Sequence, residues 1–298
     1  MPLSPLTNAP ANPAGRAGAG ALVHASLRLS PSGRLRWLGV PGVSEADRAR
    51  TRALLGEGAE LLEAGAARFP DEPLWFARAA RACSGTHGWS LLWELRLLGR
   101  LEAFAVRVRR GEQPGLRCDS EGLLHAEDLA TLEEPPPGHR DGGGAPVDLN
   151  ALWCGVLQTL GDASEAPRRF AWRQEAERAV EVFRASFWRE QPRGLRALAH
   201  GSRAAGLAGL VAAASDPPVL ERAARELVLE QQRSSLLRGG APAWARALAV
   251  EAELRTRELS VTSLRGLASL LARRNAAGAD PMRPLLRAMG GVLAGRAS

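Results

Sequence analysis

Asp148, Asn150 and Trp153 lie within two turns of one another at what reads as the start of a helix. Their types suit recognition of a hydroxyl-rich ligand. A carboxylate and a carboxamide present acceptors and donors to hydroxyl groups, and an indole ring can cover the apolar face of such a molecule. Each also has a purely structural reading. Asp148 suits an N-cap, and Trp153 falls on one apolar stripe with Leu149 and Val156, which places it in a core ahead of a ligand platform. Two further carboxyl groups, Glu133 and Glu134, sit in the Pro-rich run Glu133-Glu134-Pro135-Pro136-Pro137-Gly138. Carboxyl groups are the usual agents of general acid–base work, but a Pro-rich loop is a poor place to hold an acid rigidly.

Other chemistries lack their signatures. The sequence contains no P-loop, no dinucleotide-binding G-x-G-x-x-G after a strand, and no H-E-x-x-H. The run Gly142-Gly143-Gly144 follows no strand signal and reads as a flexible linker. The three cysteines, Cys83, Cys118 and Cys154, are far apart, odd in number and without metal-ligand spacing. The five histidines are scattered. No metal or cofactor is expected.

The elements that must position these residues are mainly helices. With 298 residues, 45% of them hydrophobic, the chain can build one large core or two ordinary ones. No apolar run approaches the roughly 18 residues of a membrane span, and the N-terminus lacks the basic start and apolar stretch of a signal peptide. A cytoplasmic protein with a disordered leader over residues 1–21 is expected, followed by a single domain over 22–298. Net charge is +7, with arginine as the only strongly basic residue type. The arginines are spread through helices and accompanied by Glu, which argues for a solvated surface and against a nucleic-acid stripe.

Residues 22–40 carry the one clear strand signal, Leu27 and Leu29 before the Pro31-Ser32-Gly33 turn and Leu35 and Trp37 after it, predicting a small N-terminal hairpin. Ser44 opens a helix to about Ala66. Further helices are predicted from Pro73 to about Cys83, Trp89 to about Arg109, Asp148 to about Leu160, and Ser164 to about Trp188. The last of these has a stripe of Trp172, Ala176, Ala179, Val180, Phe183 and Phe187. Weaker segments follow near 193–214, 217–238, 242–257, 260–274 and 280–294. Residues 111–146 read as a long Gly/Pro-rich loop. Short connections after residue 147 favour antiparallel neighbours.

Gly144-Ala145-Pro146-Val147-Asp148-Leu149-Asn150-Ala151-Leu152-Trp153 resembles the motif G-x-P-V-E-I-N-A-L-W, which introduces a central helix in the amylo-α-1,6-glucosidase domain of glycogen debranching enzymes. Asp148 and Leu149 are conservative replacements. Upstream, Gly115-Leu116-Arg117-Cys118-Asp119-Ser120-Glu121-Gly122-Leu123-Leu124-His125-Ala126 is similar to that family's G-I-x-x-D-x-x-G-L-L-x-A turn. Arg68-Phe69-Pro70-Asp71 and Leu74-Trp75-Phe76 match its R-F-P-D and L-W-F elements, and Phe183 to Trp188 resembles its F-x-x-x-F-W helix end. The matches run in order over residues 45–190.

The resemblance implies an all-α (α/α) toroid with a sugar pocket at one mouth, to which Asp148, Asn150 and Trp153 would contribute. Hydrolysis of a glycosidic bond normally takes two carboxyl groups. The family holds one in a T-W-M-D segment, where this chain has Ala130-Thr131-Leu132-Glu133-Glu134-Pro135; Glu133 or Glu134 would have to stand in. The segment H-Q-G-T-x-W-P-W, which accompanies the second carboxylate, has no counterpart here. A complete toroid needs more helices than the ten or so that periodicity supplies. These losses point to an incomplete, degenerate relative that binds an α-glucan or a protein partner. The alternatives are an active α-1,6-glucosidase and a helical interaction scaffold without sugar affinity. The missing helices would leave an edge that a second copy could cover.

Overall fold

The computed structural model describes residues 55–56, 58–87, 92, 95–132, 136, 142–215, 217–237, 245, 248, 249 and 252. The predicted leader, the 22–40 hairpin, the helices near 260–274 and 280–294, and Glu133 and Glu134 lie outside these residues, as do Ser44 and the start of its helix. Among the described residues the chain is mostly helical, with two small antiparallel strand pairs.

Helix α1 spans Glu72–His87. Glu72 begins it by turning its carboxylate back onto the Arg68 N–H at 2.7 Å and the Phe69 N–H at 3.3 Å, which ties the entering chain to the helix start. Helix α2 spans Leu97–Arg110; Leu92, within the same predicted helix, is also helical, and Arg96 takes a left-handed conformation (φ 52°) between them, while Trp89 lies outside the described residues. Gly111 (φ 67°) closes α2 in a Schellman arrangement, its own N–H bonded to the Val108 carbonyl and that of Glu112 to the Arg107 carbonyl.

Within the predicted 111–146 loop, the described residues include paired strands. Strands β1 (Leu116–Cys118) and β2 (Leu124–Ala126) pair antiparallel, with Arg117 opposite His125. The glycine run is no linker: Gly144 exchanges both backbone hydrogen bonds with Ala126, at 2.8 and 3.0 Å, and extends the ladder beyond β2. Glycine is needed beside it, because a Cβ on Gly143 would stand 2.8 Å from the Glu127 carbonyl oxygen.

Helix α3 (Val147–Ala163) is buried on nearly every side, not on one stripe, as befits a helix at the centre of the core. It touches α1, α2, β2 and the two helices that follow it, α4 (Arg168–Phe187) and the short α5 (Gly209–Ala213). Trp172, Ala176, Ala179, Phe183 and Phe187 form the buried stripe of α4, with Val180 at its margin. Gly161 permits the close approach of α3 to α4, since a Cβ there would meet Arg173 at 2.9 Å.

Ion pairs set the helix directions. Glu102 meets Arg168 at 2.9 Å and Arg109 meets Glu175 at 2.8 Å, so α2 and α4 run the same way. Helix α3 opposes α4. Arg81 of α1 bonds Thr159 and Asp162 near the far end of α3, while Pro70 just before α1 abuts Gly115 just before β1. The four helices therefore alternate in direction, as neighbours in helix-pair arrays do.

The helix predicted near 193–214 is replaced by other structure. Strands β3 (Trp188–Glu190) and β4 (Arg193–Leu195) form a hairpin, Arg196 bridges to Ala204, and only Gly209–Ala213 is α-helical. Helix α6 (Arg222–Leu237) begins after Pro217-Pro218, not with them. The carbonyls at the end of α5 are taken by Arg225, bonded to Ala213 O at 2.9 Å, and Arg78, bonded to Ala214 O at 2.8 Å.

Candidate functional site

The N-terminus of α3 and the C-terminus of α4 meet at one end of the helices, and the short strands gather there. Ala145–Val147 runs beside 197–199: the Val147 N–H bonds the Ala197 carbonyl and the Ala199 N–H bonds the Ala145 carbonyl, both at 3.0 Å. The β1–β2 hairpin joins the same end through Asn150.

Pro146, extended at φ −73° and ψ 150°, occupies the N-cap position of α3, which displaces Asp148 into the first turn. The reading of Asp148 as the cap is thereby corrected. Its Oδ1 accepts from the Leu149 N–H at 2.9 Å, and a carboxylate in this turn still meets the positive end of the helix dipole. Asn150 is 2% exposed. Its Oδ1 accepts from the Leu124 N–H at 2.8 Å, and its Nδ2 donates to the carbonyls of Leu124 at 2.9 Å and Pro146 at 2.8 Å. Trp153 is also 2% exposed and belongs to the apolar core. Of the three expected ligand-binding residues, only Asp148 reaches solvent. Glu133 and Glu134 lie outside the described residues.

The other residues carrying the resemblance also converge here. Pro70 packs against Gly115, whose positive φ of 76° and lack of a side chain allow the contact; a Cβ would be 2.7 Å from the Pro70 ring. The Trp75 indole donates to Asp71 Oδ2 at 3.1 Å. Phe183 and Phe187 stack with ring centroids 4.9 Å apart.

Asp119 organises the turn between β1 and β2. Its Oδ1 accepts from the N–H groups of Glu121, Gly122 and Leu123, each at 2.9 Å, and its Oδ2 lies 2.8 Å from His125 Nε2. Partial burial works to raise the pKa of this carboxyl, but the His125 hydrogen bond, the Leu123 and Gly122 N–H groups and the charge of His125 outweigh it, and the net direction is down. A histidine oriented by a carboxylate is the geometry of a general base. The neighbouring thiol is no partner for it. Cys118 alternates to the strand face opposite Arg117 and His125, and burial, with Asp119 adding to it, pushes that thiol up to about 12. The spacing Asp119-x-x-Gly122 was the available signal for this turn. Among the described residues, no group of three or more His, Cys, Asp or Glu side chains is placed to hold a metal ion, and no helix is long and apolar enough to cross a membrane.

No family model, curated protein or solved structure matches the chain.

Proposed function

We propose that this chain is a helical domain of the debranching-enzyme kind, an incomplete (α/α) toroid that acts in α-glucan metabolism by binding glucan or a protein partner in the cytoplasm without hydrolysing it. The observation that carries the reading is the convergence of the four resembling stretches on one end of α3. Pro70 meets Gly115, Leu124 is bonded to Asn150, and the Phe187 carbonyl is bonded by Arg196, next to Ala197, which bonds Val147 at the start of α3. Residues that resemble a family only by chance need not be neighbours in space. The polar members of these stretches, Asp119 and Asn150, are spent on bonds within the scaffold, Asn150 on backbone groups and Asp119 on turn N–H groups and His125, which favours a retained scaffold over retained chemistry.

A second reading, a helical interaction scaffold without sugar affinity, is favoured by the burial of Trp153, which leaves a closed apolar core where a sugar-stacking ring would be open. Isothermal titration calorimetry with glycogen and isomaltose, with glucose release followed on the same samples, separates the readings. Binding without release supports the first and absence of both supports the second. Release abolished by Glu133→Gln together with Glu134→Gln would establish an active α-1,6-glucosidase and overturn both.

A further inference from the structure

The β3–β4 hairpin brings two arginines to one face. Arg189 stands opposite Gly194 in the register, and Arg196, two residues beyond Gly194, points to the same side as the ladder continues through its N–H to the Phe187 carbonyl at 2.9 Å. Their guanidinium groups converge on a single turn. Arg189 Nη1 donates to the Ser202 carbonyl at 2.7 Å and Arg196 Nη1 to the Gly201 carbonyl at 3.4 Å. Consecutive Cα atoms are about 3.8 Å apart, so the two cations are anchored roughly one residue from each other.

Nothing described offsets this pairing of like charges. Among the described residues neither arginine is within ion-pair distance of a carboxylate, whereas Arg193 on the same hairpin is matched with Glu190 at 3.6 Å. The Nε atoms of Arg189 and Arg196 are both buried without a hydrogen-bond partner, a costly state for charged donors. Between the arginines, Gly194 carries no side chain. The amide of Gln231 fills that direction, its Oε1 only 3.0 Å from where a Cβ would be and its Nε2 bonded to the Arg193 carbonyl at 2.7 Å. His200, next to the turn, holds a left-handed φ of 56° that a non-glycine residue rarely adopts outside constrained sites.

The geometry points to an anion site formed by Arg189 and Arg196 beside the His200–Ser202 turn, accepting a phosphate group, either free or carried on a small molecule. Two forked guanidiniums without counter-charges match the several acceptor oxygens of a phosphate. Seating one against their Nη groups would neutralise the like-charge pair. The inference is independent of whether the domain binds glucan.

The test uses the full chain, with thermal unfolding and calorimetric titration against inorganic phosphate and against glucose 6-phosphate, each compared with sodium chloride at equal ionic strength to remove general screening. The expected result is a rise in unfolding midpoint with phosphate beyond that with chloride, and half-saturation at about millimolar concentration. Stronger response to glucose 6-phosphate would assign a carried phosphoryl group, and equal response a free anion. Arg189→Gln with Arg196→Gln should weaken binding by about tenfold or more, while Arg193→Gln leaves it unchanged. Arg189→Lys with Arg196→Lys, which keeps the charge and the hairpin, should give an intermediate loss. A wild-type chain that responds no more to either phosphate than to chloride overturns the site, as does undiminished binding by the folded Gln or Lys double variant.

Discussion

Asn150 holds the peptide backbone of Leu124 from both sides, accepting from its N–H at 2.8 Å and donating to its carbonyl at 2.9 Å. One carboxamide thus pairs with β2 as a neighbouring strand would, on the edge that faces away from β1. The second Nδ2 proton reaches the Pro146 carbonyl, one turn back on its own helix. The side chain is therefore a joint between the hairpin and the central helix, with its hydrogen-bonding capacity directed inward. An asparagine suits this joint where an aspartate does not, because two of the three bonds require a donor.

Asn150→Ala should remove all three bonds and leave the Leu124 N–H and carbonyl buried without partners. At roughly 1–3 kcal/mol for each of these two orphaned groups, the expected loss is about 2–6 kcal/mol. Asn150→Asp should cost at least as much, since it sets a carboxylate against two carbonyl oxygens. Urea unfolding followed by circular dichroism measures both. A stable Asn150→Ala chain that had lost only glucan binding would instead return Asn150 to the ligand-contact role suggested by its residue type.

The contrast between these roles marks where sequence reasoning stopped. Helices α3 and α4 were legible because their apolar residues repeat at helical spacing, and Trp172, Ala176, Phe183 and Phe187 lie buried accordingly. The partner of Asn150, 26 residues away, leaves no trace in local periodicity. Strands of three residues such as β1 and β2 are too short to establish an alternation, so only Asp119 and Gly122 marked their turn. The Ala-rich stretch after Arg193 imitates a helix in composition, but Gly194, Gly201 and Gly206 break it, and Gly194 and Gly206 have positive φ.

Two glycines should respond in opposite directions to the same substitution. Gly143→Ala drives a Cβ to 2.8 Å from the Glu127 carbonyl and 2.9 Å from that of Ala126. The strand extension at Gly144 must shift, at a cost of about 1–3 kcal/mol. Gly155 lies inside α3 with nothing within 4 Å of its added Cβ, so Gly155→Ala should stabilise by roughly 0.5–1 kcal/mol through the unfolded chain and helix propensity. Thermal unfolding of the two variants reads both signs, and a destabilised Gly155→Ala would contradict the open space beside it.

Asp119 predicts a pH dependence. Its folded-state pKa lies below the ordinary 3.8, so the unfolded chain binds the proton more readily in the window between the two values. The stability it contributes is fully present above 3.8 and is lost as pH falls through the folded value. Asp119→Asn retains an oxygen for the three turn N–H groups but has no charge to titrate. The wild-type chain should therefore lose stability faster than Asp119→Asn as the solution is acidified below pH 4, an interval set by the ordinary value of 3.8. Parallel slopes for the two proteins in acid urea titrations would remove Asp119 from this account.

The cysteines predict a chemical outcome. Burial pushes the Cys154 thiol up to about 12, and burial aided by Asp119 does the same to Cys118. Since the thiolate is the reacting form, neither should act as a nucleophile at neutral pH. In a Cys83→Ser chain, which leaves these two as the only thiols, a disulfide-exchange reagent at pH 8 should label the folded protein far more slowly than the same chain in urea. Cys154, 1% exposed inside α3, should wait for global unfolding. Cys118, at the hairpin edge and half-buried, should react first, when β1 and β2 part. Rapid labelling of Cys118 in the folded chain would mean that its thiol is exposed enough to ionise, and would reopen a role for it beside Asp119 and His125.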